Sequence, residues 1–256
     1  MCLLALAYKV HPDYPLIVVA NRDEFYARPT QDAHFWSAHP TVLAGRDLEA
    51  GGTWFGVSRA GRWATVTNFR EGRLAPAPHS RGELPLGFLA GDESPADYSR
   101  RMLTHGDDFN GFNLLTGTRG ELVYASNRQA TLRSLPPGVY TLSNDFLDTP
   151  WPKAELARRE LLRVLQAAPA LDTADLLGVL ASRHVFPDHE LPATGIGQEM
   201  ERTLSPPFIV TPAYGTRCTT ALLMSRGGEI VFEEQNYLRG EPAGESLRYR
   251  FTIDAT

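Results

Sequence analysis

Two short apolar runs at the start of the chain restrict its fold more than any other feature. Residues 2–9 and 15–20 each have the length and composition of a buried β-strand, and the stretch 11–14 between them is rich in turn-forming residues. If the two runs close as a hairpin with Lys9 opposite Pro15, Cys2 lies opposite Arg22. The pattern therefore predicts that a thiol, a guanidinium and the carboxylate of Asp23 meet at one strand end.

Cys2 has the chemistry of an N-terminal nucleophile. Removal of the initiator Met1, which a small second residue normally permits, would give Cys2 an α-amine with a pKa near ~7.7 to 8.0 beside a thiol with a pKa near ~8.5. That amine can act as general base for the thiol, while Arg22 favours the thiolate and Asp23 orients the ammonium. The alternative is that Cys2 is a small buried hydrophobic residue and that the charged residues 22–24 form an ordinary ion-pair cluster.

Composition excludes several classes of function. The 256 residues include 25 basic and 30 acidic ones, a net charge of −5, which argues against a nucleic-acid or anionic-membrane surface. No apolar run approaches the ~18 residues of a membrane span, and a cleaved signal peptide would remove Cys2. The sequence leaves the oligomeric state open.

The cysteines and histidines give no metal-binding pattern. The two cysteines, Cys2 and Cys218, are too far apart in sequence for a disulfide framework or a metal site, so we expect a cytoplasmic protein. A Cys2–Cys218 disulfide is the less favoured alternative. We expect a small-molecule substrate or ligand, no metal, and no cofactor for catalysis.

The remaining pattern predicts an α+β fold with antiparallel sheets. Further strands are predicted at 41–43, 53–58, 63–67, 112–116, 122–126, 131–135, 139–142, 208–210, 217–224, 229–234 and 246–253. Helices are predicted at 84–89, from 94 to before 106, and at 153–165 and 172–182. The stretch from Pro29 to Ala44 is interpreted as a loop that leads to the strand at 41–43, and residues 184–206 as irregular.

The helices cluster in two regions, and the first strand is apolar on both faces. Both features indicate two stacked antiparallel sheets with helices on their outer faces. We expect one domain over residues 1–256.

A series of short motifs resembles the NRDE family, also called the Transport and Golgi organisation protein 2 family. They run in the family's order from residue 1 to about 225 and comprise Met1-Cys2, Asn21–Glu24, Gly51–Gly56, Thr67–Arg70, Ser80–Gly82, Gly111–Leu114, Leu142–Asn144, Pro150–Lys153 and Tyr214–Arg217. The resemblance implies a four-layer αββα sandwich as in N-terminal-nucleophile (Ntn) hydrolases. Among these, the family is similar to Cys-dependent conjugated bile acid hydrolases and penicillin V acylases.

The resemblance implies hydrolysis or acyl transfer at a linear amide or related acyl bond, with Cys2 as nucleophile. Asn68 and Asn144, each at a predicted strand end, would hold the oxyanion, although an asparagine there is often only a turn residue. Arg217 would be a second arginine beside the thiol. The substrate-binding candidates are Asn21, Glu24, Trp54 and Phe69; Asn21 and Trp54 have the alternatives of a turn cap and a core residue.

The sequence departs from the acylase pattern because Arg22 and Asp23 are adjacent, where those enzymes separate them. Adjacent strand residues face opposite ways, so only one of the two reaches Cys2 unless the strand ends or bulges there.

The alternative function is a non-catalytic carrier, since the family has been implicated in haem trafficking and lipid homeostasis. Haem, a lipid or an acyl group would then be the ligand, although no Cys-x-x-Cys-His or paired-histidine spacing marks a haem site. A purely structural interaction module is a third alternative, for which the sequence shows no apolar stripe.

Overall fold

The computed structural model describes residues 2–72, 76–167 and 171–254, and of Cys2 it describes the backbone alone. In chain order the strands are β1 (Cys2–Tyr8), β2 (Leu16–Phe25), β3 (Thr30–Trp36), β4 (His39–Asp47), β5 (Phe55–Ser58), β6 (Trp63–Asn68), β7 (Phe112–Gly117), β8 (Leu122–Ser126), β9 (Thr131–Ser134), β10 (Gly138–Leu142), β11 (Tyr214–Met224), β12 (Glu229–Leu238), β13 (Glu241–Pro242) and β14 (Leu247–Thr252). The α-helices are α1 (Glu83–Ala90), α2 (Pro95–Thr104), α3 (Pro152–Ala167), α4 (Thr173–Leu177) and α5 (Gln198–Thr203). Short 3₁₀ turns lie at Gly106–Asp108, Gly178–Leu180 and Asp188–Glu190.

The strands form two seven-stranded sheets whose named neighbours pair antiparallel. In the first sheet the order is β10-β1-β2-β11-β12, with both β13 and β14 paired to β12. The second sheet follows the chain, β3-β4-β5-β6-β7-β8-β9. The ends of the chain therefore build one sheet, and its middle builds the other.

Three apolar clusters show the order of the layers. The central cluster lies between the sheets and joins Leu4 and Phe232 of the first sheet to Phe55 and Trp63 of the second. A second cluster packs helices α3 and α4 on the outer face of the first sheet, and a third packs α1 and α2 on the outer face of the second. The predicted stacking of two antiparallel sheets between outer helices is confirmed.

Helix α2 shows how local sequence signals set these elements. Its N-cap Ser94 accepts a hydrogen bond from the backbone of Asp97, and Pro95 occupies the first turn. Helix α4 begins with the predicted capping box at Asp172, but its α-helical part ends at Leu177 and only the 3₁₀ turn continues. In the described residues, no helix combines the length and the apolar character that a membrane crossing needs.

The first hairpin has the predicted register. Cys2 pairs with Arg22 and Tyr8 pairs with Leu16, and the Lys9 backbone amide donates to the Pro15 carbonyl at 2.8 Å. However, β2 does not end at residue 20. Both neighbouring strands supply partners for its polar end, so the strand continues through Asn21–Glu24 to Phe25.

The prediction that residues 29–44 form a loop before a short strand is wrong. They belong to the β3–β4 hairpin, whose register shifts twice, between Gln31 and His34 and between Phe35 and Trp36. Such shifts break the alternation of apolar and polar residues that marks a strand in sequence. The predicted strand at 208–210 is also absent; only an isolated bridge pairs Val210 with Gly215.

Candidate active site

One row of residues crosses the centre of the first sheet at the end of β1. Arg22 of β2 has Cys2 of β1 on one side and Cys218 of β11 on the other. The two cysteines are thus separated by a whole strand, about 10 Å for two strand spacings. Because a disulfide needs Cα atoms within about 7 Å, this register excludes a Cys2–Cys218 bridge. The side chain of Cys2 itself lies outside the described residues.

The Arg22 side chain is fixed by the second sheet. It is 5% exposed, and its guanidinium donates to the Thr30 hydroxyl at 3.1 Å and to the Asp47 carboxylate at 3.5 Å. The guanidinium carbon lies 4.2 Å from the centroid of the Trp54 ring. That ring packs so closely on Gly45 that a Cβ there would come within 2.4 Å of it. Arg22 therefore has one defined position.

Asp47 is the shared acceptor of two arginines. Arg28 donates to the same carboxylate oxygen at 2.7 Å. Burial opposes the ionised form of Asp47, but the hydrogen bond from Arg28 and those from the Ala50 and Glu49 amides lower its pKa below the ordinary value. Asp47 is thus an anion that holds both guanidinium groups at the end of β2.

Strand β3, which supplies Thr30, is attached to the first sheet at its irregular point. The Ala33 amide donates to the Glu234 carboxylate at 2.8 Å, and the Tyr249 hydroxyl donates to the Ala33 carbonyl at 2.7 Å. Glu234 also accepts from the Thr220 hydroxyl at 3.3 Å. Burial between the sheets raises the pKa of Glu234 to about 7.

Asp23 is buried beside Arg22 and makes separate contacts. It is 1% exposed and accepts a hydrogen bond from the Thr216 hydroxyl at 2.7 Å. Burial raises the pKa of Asp23, and the positive charges of Lys153 and Arg70 partly oppose the increase. No sequence argument singled out Thr216, although it belongs to the motif Tyr214–Arg217.

Asn68 and Asn144, each predicted at a strand end, are hydrogen-bonded to each other. Asn68 ends β6 of the second sheet, and Asn144 follows β10 of the first. The Asn144 amide nitrogen donates to the Asn68 side-chain oxygen at 2.9 Å and to its carbonyl at 3.2 Å. The Asn68 amide nitrogen makes a long, 3.4 Å contact with the Phe69 carbonyl and no shorter one within residues 2–72, 76–167 and 171–254. Asn144 thus orients Asn68.

A polar cavity of about 300 Å³ lies at this end of β2. Five of the predicted site residues line it: Arg22, Asp23, Glu24, Trp54 and Asn68. Its opposite wall includes His79, Ser80, Arg81 and Gly82, which immediately precede helix α1. The cavity therefore lies at the end of β2, where Arg22 pairs with Cys2.

Three predicted residues lie elsewhere. Asn21 is 1% exposed, and its amide is bonded to the Leu180 and Pro207 carbonyls at 3.1 and 2.9 Å and accepts from Thr219 at 2.7 Å. Because these contacts fix the fold, Asn21 is not placed to meet a substrate. Phe69 packs on Phe146 with ring centroids 4.9 Å apart, outside the cavity lining.

Arg217 is the third of these residues. It occupies a register shift of β11 between Thr216 and Cys218, which is the type of irregularity that reorients a side chain. Its guanidinium donates to the Phe25 carbonyl at 2.9 Å and to those of Tyr26 and Arg28. Burial and the nearby charge of Arg22 lower the pKa of Arg217. Arg217 therefore fastens the chain that leaves β2 and does not line the cavity.

An apolar groove of about 900 Å³ lies on the other side of Phe25 and Tyr214. The rings of these two residues meet edge to face at 5.1 Å, and the Tyr214 hydroxyl donates to the Asp23 carbonyl at 3.0 Å. Four apolar residues of the groove are 42 to 57% exposed: Phe25, Val185, Met200 and Val210. The sequence did not predict this surface, because it comes from irregular segments without periodicity.

The described residues contain no cluster of three or more histidine, cysteine, aspartate or glutamate side chains that could hold a metal ion.

Comparison with known proteins identifies the family. The family model described as Transport and Golgi organisation 2 matches residues 1–239. This chain belongs to the Transport and Golgi organisation 2 family. The Transport and Golgi organization protein 2 homolog of Bos taurus is 34% identical over 278 residues, and the Homo sapiens homolog is 33% identical over 277 residues. Both alignments cover 100% of both proteins.

A solved structure shows the same fold. A variant of the conjugated bile acid hydrolase from Clostridium perfringens superposes with a TM-score of 0.53 at 10% identity, covering 100% of this chain and 98% of that one. The predicted Ntn-hydrolase-like αββα sandwich is confirmed.

Proposed function

We propose that this protein is a Cys2-dependent amidohydrolase or acyltransferase that acts on a linear amide or related acyl bond. The observation that supports it best is the register of β1 and β2, in which Cys2 pairs with Arg22 at a polar cavity that Asp23 and Asn68 also line. The family shares its fold with a hydrolase. A cavity bounded by charged groups of both signs suits a polar acyl substrate.

The proposed reaction begins with removal of Met1. The α-amine of Cys2 takes the thiol proton, the sulfur attacks the acyl carbon, and the amine returns the proton to the leaving nitrogen as the C–N bond breaks. Water then cleaves the thioester to give a hydrolase, or a second nucleophile accepts the acyl group to give a transferase.

Arg22 and Asp23 have different roles in this proposal. The fixed charge of Arg22, held by Thr30 and Asp47, favours the thiolate of the residue opposite. Asp23 stabilises the ammonium that forms when the amine takes the proton. Burial raises the pKa of Asp23, and a positive charge that forms beside it favours the ionised carboxylate.

The two asparagines divide the work on the oxyanion. Asn68 lines the cavity, and its amide nitrogen has only a weak internal contact, so it is the donor. Asn144 is fully buried, and its amide nitrogen donates two hydrogen bonds to Asn68. Asn144 is therefore a positioning residue. Glu24 and Trp54 contact the substrate from the cavity wall.

Intact-protein mass spectrometry with p-nitrophenyl acetate tests the proposal. We expect the purified chain to have lost Met1 and to gain one acetyl group on Cys2. Cys2→Ala should prevent the modification, and Cys218→Ala should not, because Cys218 is 2% exposed in the core. Retained Met1, or acetylation that survives in Cys2→Ala, would contradict the proposal.

A carrier of a lipid or acyl ligand is the second candidate, and the apolar groove favours it. Half-exposed side chains of this size, gathered in one groove, are typical of a binding surface. Saturable binding of Nile red that is unchanged in Cys2→Ala, together with no acetylation of Cys2, would support the carrier. Haem remains a predicted alternative ligand, which a saturable Soret shift on titration with hemin would reveal.

We place this function in the cytoplasm and in a single domain. A reducing compartment suits a chain whose two cysteines are kept apart by β2. The central core takes Leu4 and Phe232 from opposite ends of the chain, which supports one folding unit.

A further inference from the structure

Arg70 lies where four parts of the molecule meet. It is two residues beyond Asn68 and is 6% exposed. Its guanidinium carbon lies 4.6 Å from the centroid of the Trp151 ring, just before helix α3, and its backbone amide donates to the Asn144 carbonyl at 2.6 Å. The guanidinium also forms an ion pair with Glu201 of helix α5 at 2.6 Å.

The Arg70–Glu201 pair is buried on both sides. Each of the two side chains is 3% exposed. The second oxygen of Glu201 accepts from the Thr194 amide at 2.9 Å and from its hydroxyl at 2.5 Å. Both carboxylate oxygens of Glu201 are thus used, one by Arg70 and the other by Thr194, which ties Arg70 to helix α5.

Arg70 is connected to both members of the Asn68–Asn144 pair. Arg70 is joined to Asn68 through one intervening residue and to Asn144 through its backbone amide, while Asn144 in turn holds the Asn68 side chain. A shift of the Arg70 backbone would therefore move both partners of that amide contact.

Helix α5 also forms a wall of the apolar groove. Glu201 faces Arg70, whereas Met200, Arg202 and Thr203 line the groove. Helix α5 thus has residues that line the groove and one residue, Glu201, that holds Arg70 beside the Asn68–Asn144 pair.

We propose that Arg70 is a positioning residue for the Asn68–Asn144 pair and that Glu201 links that pair to the wall of the apolar groove. The inference deepens the function proposed above and rests on it for its kinetic consequence. Arg70 touches no reacting atom: it acts through Asn144.

The first test does not depend on activity. In ¹H–¹⁵N spectra, Glu201→Gln should shift the side-chain amide resonances of Asn68 and Asn144, because the charge that holds Arg70 is gone. The matched control is Arg202→Gln, the next residue of the same helix. Arg202 pairs with Asp188 on the surface at 2.6 Å, where both side chains are 50% exposed, so this variant should leave the two resonances in place.

A milder and a conservative variant complete this test. Thr194→Val removes one hydrogen bond to Glu201 and keeps the ion pair, so it should shift the resonances less than Glu201→Gln. It also serves if Glu201→Gln fails to fold. Arg70→Lys keeps the positive charge beside Glu201 and should shift the resonances less than Glu201→Gln does. Unshifted resonances in Glu201→Gln, or in Thr194→Val if only that variant folds, would overturn the proposal, as would an equal shift in Arg202→Gln.

The second test measures the rate of acetylation by p-nitrophenyl acetate. Glu201→Gln should slow the maximal rate on the order of 10-fold, less than the 10² or more for a lost oxyanion donor, with little change in the half-saturating concentration. Arg70→Lys, which keeps the positive charge, should slow the maximal rate less than Glu201→Gln does. A change confined to the half-saturating concentration contradicts the positioning role. If the unsubstituted protein is never acetylated on Cys2, the proposed function fails while the spectroscopic test still decides this inference.

Discussion

The polar cavity and the apolar groove are neighbours built on opposite principles. The cavity, of about 300 Å³, is lined by charged side chains such as Arg22, Asp23 and Arg28 at the end of the sheets. The groove, of about 900 Å³, is formed largely by helix α5 and by the irregular segments around 183–185 and 204–213. Phe25 and Tyr214, whose rings are in contact, line the groove next to the residues of β2 that line the cavity.

The side chains of the cavity are more firmly positioned than those of the groove, and their contacts explain why. The cavity side chains are held by hydrogen bonds and ion pairs to both sheets, for example Arg22 to Thr30 and Asp47. The groove is bounded by side chains such as Met200 and Val210, which are 47 and 42% exposed. Catalysis needs firmly positioned side chains such as those of the cavity. Adaptable binding of an apolar ligand is compatible with the exposed side chains of the groove.

The largest expected effect is a loss of acetylation rate in a cavity variant that keeps ligand binding in the groove. Asn68→Ala should slow acetylation by p-nitrophenyl acetate by about 10²- to 10³-fold, because one oxyanion donor is lost, and should leave binding of Nile red unchanged. Rapid-mixing absorbance and a fluorescence titration measure the two quantities. Asn110→Ala, at the other asparagine of the cavity lining, is the control. Equal losses in both variants would mean that Asn68 has no special role.

The next effect concerns the support of the cavity and its dependence on pH. Burial raises the pKa of Glu234 from 4.5 to about 7 in the folded protein, so its ionisation opposes folding. The contribution of Glu234 to stability should be largest below about pH 4.5, fall by on the order of 3 kcal/mol as the pH rises to about 7, and change no further above it. Urea unfolding across this range measures the loss.

Two variants isolate that contribution. Glu234→Gln should remove this part of the pH dependence and stabilise the protein above pH 7. Glu233→Gln is the matched control, because Glu233 is adjacent and also buried but bonds to Thr173 and Ser246 on the other side of the sheet. If both variants flatten the pH profile equally, the effect does not belong to the inter-sheet position.

A smaller effect should appear on the groove side. Val210→Asp introduces a charge into the apolar surface and should weaken binding of Nile red about tenfold, the equivalent of roughly 1.4 kcal/mol, since a half-exposed side chain loses part of its burial energy. The rate of acetylation of Cys2 should not change. Exposed Leu48, outside the groove, is the control as Leu48→Asp. A slower acetylation in Val210→Asp would show that the groove affects the cavity by a route other than helix α5, to which Val210 does not belong.

The smallest effect is expected at the rim of the groove. Arg202→Gln removes an exposed ion pair with Asp188, and such pairs contribute little to stability. Its thermal unfolding should coincide with that of the unsubstituted protein. A clear fall in the unfolding temperature would show that the surface pair holds helix α5 and that the pair Arg70–Glu201 is not sufficient.

The sequence predicted the central hairpin because both of its strands are uninterrupted apolar runs with a short turn. The Cys2–Arg22 register follows from counting residues across that turn, and the structure has it. The contact of Asn68 with Asn144 could also be anticipated, since both residues stand at strand ends. Their unequal roles could not, because these depend on which amide atoms face each other.

What the sequence missed lies in contacts between distant segments. The β3–β4 hairpin, which supplies Thr30 and Asp47, is irregular in register and mixed in polarity. Glu201 lies in a stretch interpreted as irregular, 131 residues from its partner Arg70. Local periodicity contains no information about such pairs.

The strand β2 delivers residues to both regions within four consecutive positions. Arg22, Asp23 and Glu24 border the cavity, and Phe25 borders the groove. Because neighbouring strand residues alternate between faces, inserting or deleting a single residue between Ala20 and Phe25 would exchange the two sides for everything that follows. The length of this stretch is therefore constrained in addition to its composition, and homologous proteins that keep the cavity should show no change in its spacing.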